Sequence, residues 1–397
     1  MSRLAVRASR LAGLTAGFAR AQPATVYIED GIIARVVGGH PVVDVEVVGD
    51  GSQIVSAGLF DIHTHGAIGA QTIDGDVDGL RALGRFYASH GVTSYLATIG
   101  GSERSILAGL DGVRALLEDS TGEQGARCVG AHLEGPFISS CCPGAFDPAS
   151  IVAPDLETFH RFSERAAGSL RLLTLAPEVE GQLEIIRAAR RMGVICSAGH
   201  SAATEAEALE AISLGVTGAT HVFNAMRPMH HRAPGLVGVT LTDDRLTAEL
   251  ICDGVHVHAR CVDLVRRAKT TSGVALITDS IAATGLPDGE YDFEEQHVVV
   301  NDGQVRLADG TLAGSTLTLD VAVRNFAEFT GIPWDEAVIS ATATPARLLG
   351  FADRKGAIAP GFDADLVGFD ADHAVSWTIV GGELVHMAGE QAPNKMR

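Results

Sequence analysis

The sequence predicts an α/β fold: a (β/α)8 TIM-type barrel with a small β-sandwich domain built from both termini. Three observations support this prediction. Residues 58–356 alternate short apolar runs with longer amphipathic stretches, which is typical of βα units around a parallel sheet. The apolar runs are eight, the number of strands in a barrel of this kind. The flanks, residues 1–57 and 357–397, instead contain short Val-rich strands broken by Asp-Gly and Gly-Gly turns.

The predicted barrel strands are spaced so that a helix fits between successive strands. They are residues 59–62, 92–98, 128–133, 171–175, 194–198, 217–221, 247–252 and 273–278. Amphipathic stretches at 77–90, 102–119 and 204–215 predict intervening helices. Residues 4–13 predict a strand and a turn rather than a targeting peptide, because no apolar core segment or cleavage site accompanies their arginines. A lone terminal hairpin is marginally stable, so we expect the two ends of the chain to pair.

The composition and charge of the chain disfavour some classes of binding partner. The 397 residues carry a formal net charge of −19, which disfavours nucleic acid and anionic membrane surfaces as partners. No apolar run approaches the ~18 residues that a membrane span needs. The six cysteines form neither a CxxC pair nor a disulfide framework, which predicts reduced thiols and a cytoplasmic location. An anionic substrate would need local positive groups that act against the overall charge.

Side chains that commonly bind metals follow most of the predicted barrel strands. In such a barrel, the active site lies at the carboxyl ends of the strands. The chain has 15 histidines, and random scatter would not place them at so many strand ends. The residues at these ends are His63 and His65 in DIHTHG, Glu134 in HLEG, His200 in SAGH, His221 and Asn224 in THVFNAM, His256 in CDGVH and Asp279 in ITDS.

Glu134, His200 and His221 form the first predicted metal site. The two histidines are 21 residues apart, about one βα repeat, so we expect them on adjacent strands. With the carboxylate they offer two nitrogens and one oxygen, which suits Zn²⁺ or a similar divalent ion with an open position for water. Taken singly, each residue would more often be a salt-bridge partner, a helix cap or a satisfied polar group. Together they predict a metal site.

His63, His65 and Asp279 extend this site. A spacing of two places both imidazoles on one face of a strand, directed into the barrel mouth. An HxH pair alone is as compatible with a structural role as with metal binding. Asp279 follows the last strand, where it is either a general base beside a metal-bound water or the cap of the turn after it. A bound ion lowers the pKa of water from 15.7 to roughly 7, which would provide hydroxide at neutral pH.

The order of eight motifs resembles that of the N-acetylglucosamine-6-phosphate deacetylases, a family of the amidohydrolase superfamily. The resemblance extends from about residue 25 to 387 and rests on GLFDIHTHG, HLEGPF, GHS, THVFNAM, DGVHVH, TDSIAATG, LAGSTLT and ATPARLLG. It implies hydrolysis of the acetamide of N-acetyl-D-glucosamine 6-phosphate to glucosamine 6-phosphate and acetate, by metal-activated hydroxide. It also implies that Glu134, His200 and His221 are metal ligands and that Asp279 is the catalytic acid and base.

The resemblance assigns further residues to the substrate. Arg232, in HHRAPG, corresponds to an arginine that reaches into the neighbouring subunit's site and binds the phosphate there. This implies a homodimer in which each site is completed by the partner subunit. Asn224 and Ala225 correspond to positions that hold the sugar phosphate, and Ala145, His256 and Leu312 correspond to further substrate contacts.

Two departures from the family pattern leave details open. Some members replace the HxH pair and hold one metal, whereas this chain keeps both histidines, so a second ion bridged by Glu134 is compatible with the sequence. The loop after HLEGPF commonly reads GAH, with a histidine that polarises the acetyl carbonyl, but here it reads Gly144, Ala145, Phe146. Phenylalanine cannot donate that hydrogen bond. Either a second metal or a neighbouring residue replaces it, or the substrate differs somewhat from the family norm.

Other functions remain open at this stage. The galacto epimer of the amino sugar fits the same motifs, and other amidohydrolases act on cyclic amides or nucleobases. Many of the latter bridge two ions with a carboxylated lysine, but Lys269, Lys355 and Lys395 lie away from the predicted strand ends. This favours Glu134 as the bridge, and with it the deacetylase. A non-enzymatic homologue is disfavoured, because all six metal and acid/base residues are present.

Overall fold

A computed structural model of the chain describes residues 2–15, 17, 22–119, 125–293 and 296–389. Eight parallel strands form one sheet, in which each strand pairs with its neighbours in chain order. The first and last strands meet at their carboxyl ends, where Thr64 and Ser280 form a parallel bridge. The predicted barrel is therefore confirmed. Its strands, β1 to β8, are Leu59–Thr64, Val92–Ile99, Arg127–Glu134, Leu170–Leu175, Ile195–Ala198, Val216–Ala219, Thr247–Ile251 and Val274–Ile277.

Helices alternate with these strands. The three predicted helices are confirmed, at Val77–Ser89, Glu103–Glu118 and Glu205–Leu214. Strand β2 is buried along its whole length, because helices cover one face of a parallel sheet and the barrel interior covers the other. Short 3-10 helices occur at Thr72–Asp74, Pro148–Ser150, Thr271–Gly273 and Val338–Ala341. Helices α1 to α10 are Val77–Ser89, Glu103–Glu118, Leu156–Ala166, Gln182–Arg191, Glu205–Leu214, Gly235–Thr242, Ala259–Lys269, Leu319–Thr330, Trp334–Ala337 and Ala343–Leu348.

The two flanks of the barrel pair with each other, as expected. Ile54–Ala57 lies antiparallel to Leu366–Phe369 in a five-stranded sheet. A four-stranded sheet packs against it, and Val6, Val55 and Trp377 are buried in their common core. Together the sheets form the small β-sandwich, while its boundaries at residues 57 and 357 stay a prediction. Its remaining strands are Arg3–Ala8, Arg10–Leu11, Leu14–Thr15, Ala24–Glu29, Ile32–Gly38, Glu46–Val48, Ala357–Ile358, Val375–Val380 and Glu383–Met387.

A three-stranded antiparallel sheet, absent from our sequence prediction, lies between β8 and α8. We call it the inserted sheet; its strands are Gly289–Phe293, Gln296–Asn301 and Gln304–Arg306. Val298 and Val300 alternate with exposed residues and are buried in a small core of their own. Asp302 and Gly303 connect the last two strands with φ values of 51° and 69°, which fits a two-residue hairpin turn. The signal for this hairpin, VVVNDG, was present in the sequence.

A short two-stranded ribbon, Gly66–Ala67 with Ala70–Gln71, follows β1 and completes the strands. Among the described residues, none of the helices combines the length and the apolarity that a membrane span requires.

Candidate active site

A cavity of about 370 Å³ opens at the carboxyl ends of the barrel strands. Its size is that of a site for a small molecule. Two of the predicted site residues do not line it: His63 is fully buried beneath the cavity, and Arg232 lies elsewhere. The ten predicted residues that do line it are His65, Glu134, Ala145, His200, His221, Asn224, Ala225, His256, Asp279 and Leu312.

The Glu134 carboxylate at the end of β3 faces two separate pairs of imidazoles. Its Oε1 lies 3.2 Å from His200 Nε2 and 3.1 Å from His221 Nε2. Its Oε2 lies 3.3 Å from His63 Nε2 and 3.1 Å from His65 Nε2. Ligands of one tetrahedral zinc ion, each about 2.0–2.1 Å from the metal, are separated by about 3.3 Å. The separations observed here therefore fit a shared carboxylate between two possible ion sites.

Asp279 follows β8 and faces the pair from β1. Its Oδ1 lies 3.2 Å from His65 Nε2 and 3.5 Å from His63 Nε2. The ligand atoms of these three residues lie within 4.8 Å of one another, as do those of the group around His200 and His221. The cluster thus contains both an ion-binding set of donors and a carboxylate beside it, which is the arrangement that a general base requires.

The charges within the cluster are mutually dependent. Burial alone would lower the pKa of His63, but Glu134 and Asp279 raise it to about 10. Burial alone would raise the pKa of the Glu134 and Asp279 carboxyls. The neighbouring imidazoles, with His63 contributing most, instead hold both pKa values well below their usual range. A proton on His63 would offset part of the buried negative charge. A divalent cation can replace that proton, so the donor set fits a metal.

Contacts behind the imidazoles fix their orientation. His63 Nδ1 lies 3.2 Å from Glu249 Oε2, and Ser197 Oγ donates to Glu249 Oε1 at 3.3 Å. His200 Nδ1 donates to the Cys142 carbonyl at 3.1 Å. A donor role for Nδ1 leaves the Nε2 lone pair for an ion. Glu249, a fully buried carboxylate in the middle of β7, was not among the predicted site residues, although a glutamate within so apolar a strand was a usable signal.

Backbone strain is concentrated at the same residues. His200, His221, Ala225 and Asp279 have φ values of 46°, 29°, 47° and 51°, in the left-handed region that non-glycine residues rarely adopt. Each such residue costs on the order of 1–3 kcal/mol and persists only where its surroundings hold it. All four line one cavity. This clustering supports a functional role for the conformation.

The loop after β3 approaches the cluster closely. Gly144 has a φ of 59°, and a Cβ added there would lie 2.9 Å from His200 Cε1, so a side chain at this position would displace the loop. Phe146 packs edge-on against His200, with ring centroids 5.0 Å apart. The position that commonly carries a histidine in the resembled family therefore contributes an apolar contact here. It offers no hydrogen bond to a substrate carbonyl.

The inserted sheet forms one wall of the cavity. Phe293 packs edge-on against His65, with ring centroids 5.3 Å apart, and Gln296 donates to the Ala145 carbonyl. Arg306, at the end of the sheet, also lines the cavity. Phe293 and Arg306 were not among the predicted site residues, because the inserted sheet was not predicted from the sequence.

Arg232 lies in the segment between β6 and α6. Its Nη1 is 2.8 Å from His231 Nε2, and its side chain is exposed rather than directed into this chain's own cavity. The assignment of Arg232 to the partner's site stays a prediction.

The described lysines lie apart from the cluster. Lys269 Nζ donates to the Asp243 carbonyl at 2.6 Å, and Lys355 forms ion pairs with Asp363 and Asp365. Lys395 lies outside the described residues. A glutamate, Glu134, rather than a lysine lies between the two pairs of imidazoles, which disfavours the amidohydrolases that use a carboxylated lysine.

Comparison with known proteins identifies the family. A sequence model of the amidohydrolase family matches residues 54–385. The N-acetylglucosamine-6-phosphate deacetylase of Bacillus subtilis (strain 168) is 37% identical over 371 residues, which cover 92% of this chain and 93% of that protein. The N-acetylgalactosamine-6-phosphate deacetylase of Escherichia coli O157:H7 is 36% identical, with 90% and 93% covered.

A solved structure agrees with these relatives. It is that of a mutant N-acetyl-D-glucosamine-6-phosphate deacetylase from Mycobacterium smegmatis in complex with N-acetyl-D-glucosamine-6-phosphate. It superposes with a TM-score of 0.90 at 31% identity and covers 97% of this chain and 100% of its own. The chain therefore belongs to the amidohydrolase family and, within it, to the N-acetylglucosamine-6-phosphate deacetylases.

Proposed function

We propose that the protein hydrolyses the acetamide of N-acetyl-D-glucosamine 6-phosphate and releases acetate and glucosamine 6-phosphate. The observation that carries the proposal is one carboxylate, Glu134, placed between two pairs of imidazoles at a cavity of about 370 Å³. The substrate is supported by relatives that are deacetylases of amino-sugar 6-phosphates and that align with about nine-tenths of the chain. A cytoplasmic location is part of the proposal, since all six cysteines are free.

We infer that each subunit holds one or two divalent ions and that the metal is Zn²⁺. Glu134, His200 and His221 would hold one ion, while His63 and His65, with the other Glu134 oxygen, would hold a second. A mixed nitrogen and oxygen donor set of this kind suits zinc. When bound, the ion polarises the acetyl carbonyl and lowers the pKa of a water molecule.

The protein's own residues handle the protons and the substrate. The Asp279 carboxylate takes a proton from the attacking water while the oxygen of that water bonds to the acetyl carbon. Asp279 then delivers that proton to the sugar nitrogen as the C–N bond breaks. His256 is oriented by Asp253, whose Oδ2 lies 2.7 Å from its Nδ1, so its Nε2 is left for the substrate. Asn224 and Ala225 would hold the sugar phosphate, and Ala145 and Leu312 complete the proposed substrate contacts.

An acetate-release screen tests this function. N-acetylglucosamine and N-acetylgalactosamine are each assayed with and without the 6-phosphate, and the metal content of the same preparation is measured. We expect the fastest release from N-acetylglucosamine 6-phosphate and one or two ions per chain. Faster release from the galacto epimer would correct the substrate. Absence of acetate from all four sugars, with turnover of a cyclic amide or nucleobase, would refute the deacetylase.

Arg232 provides a test of both substrate and assembly. We propose a homodimer in which this arginine binds the 6-phosphate in the partner's site, because a guanidinium gives a phosphate two parallel hydrogen bonds. Arg232→Ala should raise the Michaelis constant (KM) for the phosphorylated sugar by one to two orders of magnitude. That corresponds to roughly 1.4–2.7 kcal/mol, which is typical of a charge-assisted contact. The KM for the unphosphorylated sugar should hardly change.

Mixed dimers separate action across the interface from action within the subunit. If Arg232 serves the partner, a dimer of one Arg232→Ala and one Asp279→Asn subunit has one site with both residues and one with neither. About half of the full activity per mixed dimer should then return. Verified mixed dimers that recover no activity would show that Arg232 does not act across the interface.

A further inference from the structure

We propose that Arg306, at the end of the inserted sheet, binds the 6-phosphate of the substrate within its own subunit. This inference rests on the proposed function, which supplies the phosphorylated substrate. It adds a cation from the same chain to the one that Arg232 is proposed to contribute from the partner.

The side chain of Arg306 lies on the face of its strand that lines the cavity. Successive side chains of a strand point to opposite faces, and Val305 is buried in the core of the inserted sheet. Arg306 therefore lies on the other face, where it lines the cavity. It forms an antiparallel bridge with Leu312, one of the proposed substrate contacts. The guanidinium is thus part of the wall that a bound sugar would face.

The guanidinium is held in place but keeps most of its donors. Its Nη1 donates to the Gly310 carbonyl at 2.7 Å and its Nη2 to Gln304 Oε1 at 3.0 Å. An arginine has five N–H donors, and these two contacts with described residues leave three for a ligand. Both partners belong to the inserted sheet and the turn after it, so little side-chain freedom would be lost on binding. Neither partner is a carboxylate, and the positive charge is not neutralised by these contacts.

The overall charge of the protein favours a local cation beside an anionic ligand. The cavity belongs to a protein with a net charge of −19. A phosphate dianion would meet an unfavourable field there. Among the described residues that line the cavity, Arg306 is the sole arginine or lysine. It is therefore the fixed positive charge that this chain itself offers to the phosphate.

Substitution of Arg306 tests the proposal through the difference between two substrates. Arg306→Ala should raise KM for N-acetylglucosamine 6-phosphate about ten- to hundredfold, the effect of losing a charge-assisted hydrogen bond. The turnover number should change little, and kcat/KM for unphosphorylated N-acetylglucosamine should stay the same. Arg306→Lys should recover part of the loss, because it restores the charge without the planar pair of donors.

Arg190→Ala is a matched control. Arg190 is also exposed and donates to a backbone carbonyl, that of Gly215, but it does not line the cavity. Its substitution should leave both substrates unaffected. An unchanged KM for the phosphorylated sugar in Arg306→Ala would overturn the proposal. An equal loss of kcat/KM with the phosphorylated and the unphosphorylated sugar would also overturn the proposal, because it would indicate that Arg306 only stabilises the inserted sheet.

Calorimetry makes the test independent of turnover. The metal-loaded protein is titrated with glucosamine 6-phosphate and with glucosamine. We expect Arg306→Ala to weaken binding of the phosphorylated sugar alone. If the unchanged protein hydrolyses none of the N-acetyl sugars, the proposed function fails, yet the titration still decides whether Arg306 binds a sugar phosphate. If Arg306→Ala and the unchanged protein bind glucosamine 6-phosphate with equal affinity, the role of Arg306 is refuted.

Discussion

Asp279→Asn should retain the bound metal and the affinity for substrate while turnover falls by roughly 10²–10⁴, the usual contribution of general acid–base catalysis. The amide has nearly the shape of the carboxylate but cannot accept the proton of the attacking water. The carboxylate Oδ1 lies 3.5 Å from His63 Nε2 and 3.2 Å from His65 Nε2. In our mechanism both imidazoles are ligands, so neither is free to take over the proton transfer.

The measurements are kcat, KM and ion content of the same purified protein. Asp244→Asn, an exposed substitution of the same type away from the cavity, should match the unchanged protein in all three. A normal kcat for Asp279→Asn would mean that the residue only caps the turn after β8. A loss of ion together with turnover would instead show that Asp279 acts mainly as a metal ligand.

His200→Ala should abolish nearly all turnover and lower the ion content by one ion per chain. Its Nε2 lies 3.2 Å from Glu134 and 3.1 Å from His221 Nε2, so its removal takes one of three ligands from that group. His65→Ala removes a ligand from the other group. A comparison of the two variants shows whether the protein holds one ion or two.

Metal analysis after dialysis and thermal unfolding check this prediction. His160→Ala, an exposed substitution on α3, serves as the control and should change neither quantity. The comparison is valid only if His200→Ala and His65→Ala both unfold cooperatively, which shows that both variants are folded. A metal-free His200→Ala protein with full activity would refute the assignment of this histidine as a ligand.

The barrel and most of the cavity lining were predictable from local patterns. Each barrel strand is a short apolar run, and each predicted strand differs from the observed one by at most two residues at either end. The rule that such barrels are active at their strand ends then places His200, His221 and Asp279 together, since parallel strands bring their carboxyl ends to one rim. That inference needs only the order of strands along the chain.

The missed features depend on distant parts of the chain. Glu249 and His63 meet only because the barrel closes and brings β7 and β1 to the same interior, which no sequence spacing reveals. The inserted sheet has one exposed face, so its alternating residues give a weaker signal than the continuous runs of the barrel. Arg306 was missed with it. The proposed contact of Arg232 with the phosphate needs a second subunit, so neither the sequence pattern nor the fold of one chain determines it.

The pairing of Ile54–Ala57 with Leu366–Phe369 has a consequence for biosynthesis. The paired residues Ala57 and Leu366 are about 310 positions apart, so the earlier strand leaves the ribosome long before its partner exists. At ~5–20 residues per second, that interval is roughly 15–60 s. Throughout it, the edge of Ile54–Ala57 that later pairs with Leu366–Phe369 is open to other nascent chains, which is a recognised route to aggregation. We therefore expect the nascent chain to depend on chaperones, or on prompt folding of the barrel, until that partner strand emerges.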